Sequence, residues 1–96
     1  MIYISSIATQ VTYDRYMHHT RAVTATEFGQ SVRWAREQRG LQQTDLAERL
    51  GVTRMTVSRL ERGERVNVET AIRALSECGF EVVVVPKFSR ITVENR

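Results

Sequence analysis

One short stretch limits this chain more than any other. Residues 43–64 read QTDLAERLGVTRMTVSRLERGE, with leucines and valines at helical spacing and charges between them. A single helix of that length would not carry Gly51 at its centre with Thr53 two residues on. Glycine supplies a left-handed turn residue at little steric cost, and threonine is a strong N-cap. The pair therefore divides the stretch. Leu46, Ala47 and Leu50 fall on a first short helix, and Val57 and Leu60 fall on a second that stops at Gly63. Two short helices joined by a tight glycine turn make a helix-turn-helix pattern. Ala47 is small enough to let the two helices approach, Val57 plugs the gap between them, and Leu46 and Leu60 face the core. Arg54, Met55, Ser58 and Arg59 are left pointing outward.

The flanking sequence supplies helices for this pair to pack against. TATE at 24–27 has the spacing of a capping box, Thr24 with Glu27, and Phe28, Val32 and Ala35 then recur at i, i+4 and i+7 up to Gly40. Trp34 lies off that stripe, which leaves it for a second contact surface or a solvent-facing edge. Asn67 is placed to cap a further helix whose stripe is Val68, Ala71, Ile72 and Leu75, with Gly79 as its stop and Phe80 as the apolar residue behind the glycine. FEVVVV at 80–85 then reads as a strand closed by Pro86. A lone strand needs a partner, either residues 1–13 or the same strand of a second subunit.

The chain divides into three segments: residues 1–25 as an arm or extension, 26–79 as the helix-turn-helix DNA-binding domain, and 80–96 as a strand and charged tail. MIYISSIATQVTY at the start favours extended structure with imperfect alternation, and Met17 would serve as an internal start. The chain of 96 residues suits one domain with a small core, so a core shared between two subunits is worth considering.

Composition narrows the partners. The net charge is +3 and Lys87 is the only lysine, so the basic residues are almost all arginine, whose rigid fork suits phosphate and guanine. Over residues 53–65, Arg54, Arg59, Arg62 and Arg65 stand against Glu61 and Glu64, a local excess of +2. A second helix with a polar, basic outer face is what reading a DNA major groove requires. Cys78 is the only cysteine, which excludes an internal disulfide and fits a reducing cytoplasm. No apolar run approaches the roughly 20 residues of a membrane span.

These residues resemble a known family. LQQTDLAERLGVTRMTVSRLERG is similar to the Xre-type helix-turn-helix of lambda-like phage repressors, and the resemblance covers roughly residues 28–78. It includes FGQSVRWAREQRGL, the Gln-x-x-x-Ala-x-x-x-Gly spacing from Gln43 to Gly51, and the ERG at 61–63. The fold it implies is mainly α: a lambda-repressor-like bundle of about four to five helices, with a C-terminal β-strand pairing across a homodimer. By position, the resemblance implies base-reading roles for Thr53, Arg54, Met55 and Arg59, with Arg54 suited to a bidentate guanine contact. It implies phosphate contacts for Gln43, Thr44, Thr56, Ser58, Arg62 and Arg65. Arg36 and Glu61 match an ion pair tying the first helix to the end of the reading helix. Two positions depart from the family pattern: Gln42 stands where serine or threonine usually caps, and Met55 where the residue is often polar.

LSECGFEVVVVP, a strand directly after the bundle, gives a narrower resemblance to HipB-type antitoxins. That resemblance implies strands of two subunits, through Phe80, Val82, Val83, Val84 and Val85, pairing into a lid over the dimer. It also implies repression of its own operon and a HipA-type kinase toxin as partner. The function expected is a cytoplasmic, dimeric, sequence-specific repressor bound to a double-stranded DNA operator. The alternatives are a stand-alone Xre-type regulator, such as a phage or restriction controller, and a protein-interaction module with no DNA role.

Other chemistry finds little support. His18 and His19 are adjacent, so they do not share a helix face, and no Cys or carboxylate cluster completes a metal site. Ser58 has no His or Asp at a spacing that suggests a nucleophile, no glycine-rich phosphate loop is present, and Cys78 reads as a small apolar residue near a helix end. The sequence therefore predicts a non-enzyme without a cofactor or metal.

Overall fold

The computed structural model describes residues 19–94. The expected N-terminal strand, Met17 and His18 lie outside those residues, as does all of the expected arm over residues 1–25 but its last part, which leads into the first helix. The helical unit comprises residues 20–84 and holds four helices among the described residues: α1 (Ala25–Gln38), α2 (Gln43–Leu50), α3 (Arg54–Glu61) and α4 (Val68–Glu77).

Local hydrogen bonds explain where the helices start. Thr24 Oγ1 accepts from the Glu27 N–H at 3.1 Å, and Glu27 Oε1 accepts from the N–H groups of Thr24 and Val23 at 3.3 and 2.7 Å. Three otherwise orphaned donors are thereby satisfied at the start of α1. Asn67 Oδ1 does the same for the Thr70 N–H at 2.8 Å. At α2 the work is done from inside the helix: Asp45 Oδ2 accepts from the Gln42 N–H at 2.8 Å, and Gln42 contributes no side-chain cap. The departure from a serine or threonine cap at Gln42 is thus partly offset by the carboxylate three residues on.

The helix ends share one device. Beyond the last turn, a glycine turns left-handed and the following residue bonds back across the end. At α2, Gly51 has φ 71° and the Val52 N–H reaches Ala47 O at 3.0 Å. At α3, Gly63 has φ 79° and the Glu64 N–H reaches Arg59 O at 2.9 Å. These are Schellman closures, and an L side chain at either glycine would cost about 1–2 kcal/mol in backbone strain.

The core is built largely where the sequence pattern places it, except on α4. Val68 and Ile72, expected on its stripe, are 72% and 48% exposed, and Ala74 and Cys78 are buried beside Ala71 and Leu75 instead, because the helix is rotated toward that edge of the stripe. Val32, Ala35, Leu46, Val57, Ala74 and Cys78 are fully buried, ringed by Ala47, Leu50, Leu60, Ala71 and Leu75. Burial of each large apolar side chain is worth roughly 1.5–3 kcal/mol relative to exposure. One contact is closer than the periodicity suggests. Gly29 lies against the end of α3, where an added Cβ would sit 2.7 Å from Glu61 O. Only a glycine lets α1 touch that backbone.

The C-terminal end differs from the expectation. Residues 80–85 form no strand among the described residues, and Val82, Val83 and Val84 are exposed. A strand is a ladder, and β-branched side chains cannot make one without a second segment to bond. Phe80 serves the helix instead. Its N–H bonds Leu75 O at 2.9 Å, closing α4, and its ring meets Trp34 edge-on at 5.1 Å between centroids and 63° between planes. Trp34 is thereby half-buried, and Arg39 Nε donates to Cys78 O at 2.8 Å beside it.

Residues 85–94 belong to a second unit. They include a tight turn in which the Ser89 N–H bonds Pro86 O at 3.2 Å and Phe88 is left-handed at φ 65°. No described helix is long and apolar enough to cross a membrane.

Candidate nucleic-acid interface

The inner side of α3 is fixed by Val57, Leu60 and Glu61, all buried. Its outer side follows by helical geometry. Met55 and Arg59 form an i, i+4 pair on the opposite surface, and Arg54 and Ser58, also i, i+4, lie along one flank of it. Arg54, Met55 and Arg59 are exposed, with Met55 at 50%, and Thr56 and Ser58 are half-buried beside them. The structure therefore gathers these five residues along one helix. Thr53 is exposed as well, but its hydroxyl is already in use: Oγ1 accepts from the Thr56 N–H at 3.2 Å and lies 3.2 Å from Thr56 Oγ1.

A buried polar network lies behind α3. Arg36 Nε and Nη2 donate to Glu61 Oε2 and Oε1 at 2.6 and 3.0 Å, and Arg36 Nη1 donates to Leu41 O at 2.8 Å. The two side chains are only 10% and 4% exposed. The hydrogen bond that Arg36 donates to Glu61 holds its guanidinium above its already high ordinary pKa. Gln43 joins them, its Nε2 donating to Glu61 Oε1 at 3.0 Å across a sequence separation of 18. The side chain at the start of α2 is thus tied to the last residue of α3, and α1, α2 and α3 meet at one carboxylate. Thr44, next to it, is exposed in the first turn of α2.

This network changes the charge of the outward face. Glu61 is turned inward and neutralised by Arg36, so the exposed charges over residues 53–65 are four arginines against Glu64 alone. Arg54 and Arg65 have no ion pair among the described residues, whereas Arg59 and Arg62 both approach Glu64. The Arg62 contact holds the Glu64 carboxyl below its ordinary range.

Two residues of the site escaped the sequence reading. Gly29 looked like an unremarked helix interior, although a glycine there is costly enough to signal close packing. The charge pattern shows Glu64 as a local charge and not as a partner. The Gly63 stop was its signal, since the residue after a left-handed glycine turns back onto the helix it closes. Among the described residues no group of three or more metal-ligating side chains comes together, and His19 is exposed.

A known family and fold correspond to this arrangement. The Helix-turn-helix family profile matches residues 32–84, more than half of the chain. The chain belongs to the helix-turn-helix family, of the Xre-like kind. A Pyrococcus furiosus protein, named as a candidate HTH-type transcriptional regulatory protein, is 46% identical over 74 residues. That match takes in 70% of this chain but 23% of the relative, so the chain spans about a quarter of the relative's length. The fold is that of HipB. A complex of a HipB variant with an O2 20mer superposes with a TM-score of 0.66 at 18% identity, covering 73% of this chain and 99% of that one. HipB in a HipA-HipB-O2-O3 complex gives 0.64 at 19% identity, covering 71% and 97%.

Proposed function

We propose that this chain is a sequence-specific repressor that acts as a homodimer on double-stranded DNA, each subunit laying residues 53–61 in a major groove. The observation that carries the proposal is the arginine-rich outer face of α3, held rigid from behind by the Arg36–Glu61–Gln43 network. Arg54 reads a guanine through O6 and N7, because it is exposed at the start of α3 and no carboxylate occupies it among the described residues. Met55 and Arg59 extend the contact along the groove, and Thr53 adds to it while capping the helix. Gln43, Thr44, Thr56, Ser58, Arg62 and Arg65 meet phosphates and set the register. Half-sites then lie about one helical turn apart, ~34–36 Å.

Exposed Val82, Val83 and Val84 support pairing of residues 80–85 with the same segment of a second subunit. In that dimer residues 26–79 are the DNA-binding domain and 80–96 the association segment. A bundle followed by such a segment supports an autoregulating antitoxin with a HipA-type kinase toxin as partner. The higher identity to the Pyrococcus furiosus protein favours a second reading, a regulator without a toxin. Co-purification of a kinase-like protein encoded beside this chain separates the two.

A gel shift with the DNA upstream of the chain's own coding region tests the DNA proposal. Binding should be strongest at low salt, where phosphate contacts count most. Absence of binding there would leave only a protein-interaction module. Arg54→Ala should cost ~1–3 kcal/mol and relax preference at one base position, whereas a uniform loss across sequences would make it a phosphate contact.

A further inference from the structure

Phe88 is held in solvent by a strained backbone. The side chain is 91% exposed, and its φ of 65° is left-handed, which a bulky residue rarely adopts. The turn that holds it is closed twice: the Ser89 N–H and Ser89 Oγ both donate to Pro86 O, at 3.2 and 2.5 Å. Strain kept at a surface tip points to a contact made there. Lys87 and Arg90 flank Phe88, exposed and without an ion pair among the described residues. In the helical unit, α4 carries a matching surface. Ile72 is exposed on it, Ser76 follows at i+4, and the neighbouring row is Glu69, Arg73 and Glu77, two carboxylates to one base. Glu69 and Glu77 likewise have no ion pair among the described residues.

We propose that the Pro86–Ser89 turn is a clasp between two copies of this chain, with Phe88 of each on Ile72 of the partner subunit and Lys87 beside Glu77 of the partner subunit. The inference rests on the pairing of residues 80–85 proposed above. Antiparallel pairing of that segment with itself sets Val85 opposite the partner's Phe80. The turn that begins at Pro86 then arrives beside the partner's Gly79, just past the end of α4. From there Ile72 lies about 10 Å back along the helix. Two further residues of chain and a phenylalanine ring span that distance. The same symmetry returns the other turn to the first subunit, so the clasp is made twice. Paired valines alone leave a two-stranded ladder, which is marginal in water without a helix to pack on. The clasps tie each end of that ladder to a helix.

The test uses the full chain and follows association by sedimentation. Phe88→Gly removes the ring and leaves the turn intact, because glycine takes a left-handed φ freely. It should weaken the dimer at least about tenfold, since symmetry removes two anchors at once, with the helical unit melting as in the wild type. Lys87→Glu and Glu77→Lys should each weaken it about threefold, and the double reversal should return to within about twofold of the wild type. A Phe88→Gly dimer as tight as the wild type, or a double reversal no better than either single one, would overturn the clasp. Val83→Pro separates the clasp from the pairing beneath it. If the wild-type chain is monomeric or Val83→Pro still dimerises, the paired segment falls and the clasp with it. If Val83→Pro is monomeric while Phe88→Gly dimerises fully, the clasp alone falls.

Discussion

Replacing Glu61 with glutamine tests how the reading helix is held. The change keeps the shape and removes the charge. Arg36 then sits with a side chain 10% exposed and no anion beside it. It cannot escape by losing its proton, because arginine stays charged at any ordinary pH. The new amide can accept from Arg36 or from Gln43 through one oxygen, but its NH2 group faces a donor wherever it turns. Breaking a buried pair from one side costs about 3–5 kcal/mol. A helical unit of this size has about 3–10 kcal/mol in total. Glu61→Gln should therefore lose a large share of its stability and unfold at much lower urea. Replacing both partners, Arg36→Met with Glu61→Leu, removes the charges together. It leaves Leu41 O and Gln43 Nε2 to find water and should recover to within about 1–2 kcal/mol of the wild type. Trp34 is the only tryptophan and packs on Phe80, so its fluorescence follows the transition in urea. A loss under about 1 kcal/mol for Glu61→Gln would mean that the pair behaves as a surface pair. A double variant less stable than Glu61→Gln alone would refute the argument from uncompensated charge.

Two further outcomes follow from close packing and from exposure. Gly29→Ala gains about 1 kcal/mol in helix propensity but drives a Cβ to 2.7 Å from Glu61 O, so it should destabilise by a net ~1–2 kcal/mol; a raised melting temperature would show that the two helices part freely. Val83→Pro should leave the melting of the helical unit within about 0.5 kcal/mol, because Val83 is exposed and in no ladder, yet abolish association seen by sedimentation. A Val83→Pro chain that still dimerises would rule out pairing through residues 80–85.

Much of the helical scaffold was legible from the chain alone. The Thr24–Glu27 box, the Gly51–Thr53 break, the Asn67 cap and the Gly79 stop are all visible, because each is made by hydrogen bonds that close within about four or five residues. The buried faces were legible for a related reason: a helix repeats its direction every 3.6 residues, so Val32, Leu46, Val57 and Leu75 declare the core together. The outward position of Arg54, Met55 and Arg59 is the complement of that pattern.

What the tertiary structure decided depends on how helices cross. Gln43 meets Glu61 across 18 residues and Arg36 meets it across 25, so the bracing of the reading face arises only when three helix ends converge. Gly29 becomes necessary only when α1 comes down on the backbone of α3. Trp34 finds Phe80 only after α4 has closed beside α1. Residues 80–85 show the limit from the other side. Their valines carry a preference for extended backbone, but a strand exists only where a second segment offers its N–H and C=O groups. The sequence by itself determined the helices, the core and the basic face, all built from near neighbours. The structure decided which charges on that face are free: Glu61 is withdrawn into the interior, Glu64 is set against Arg59 and Arg62, and Arg54 is left open.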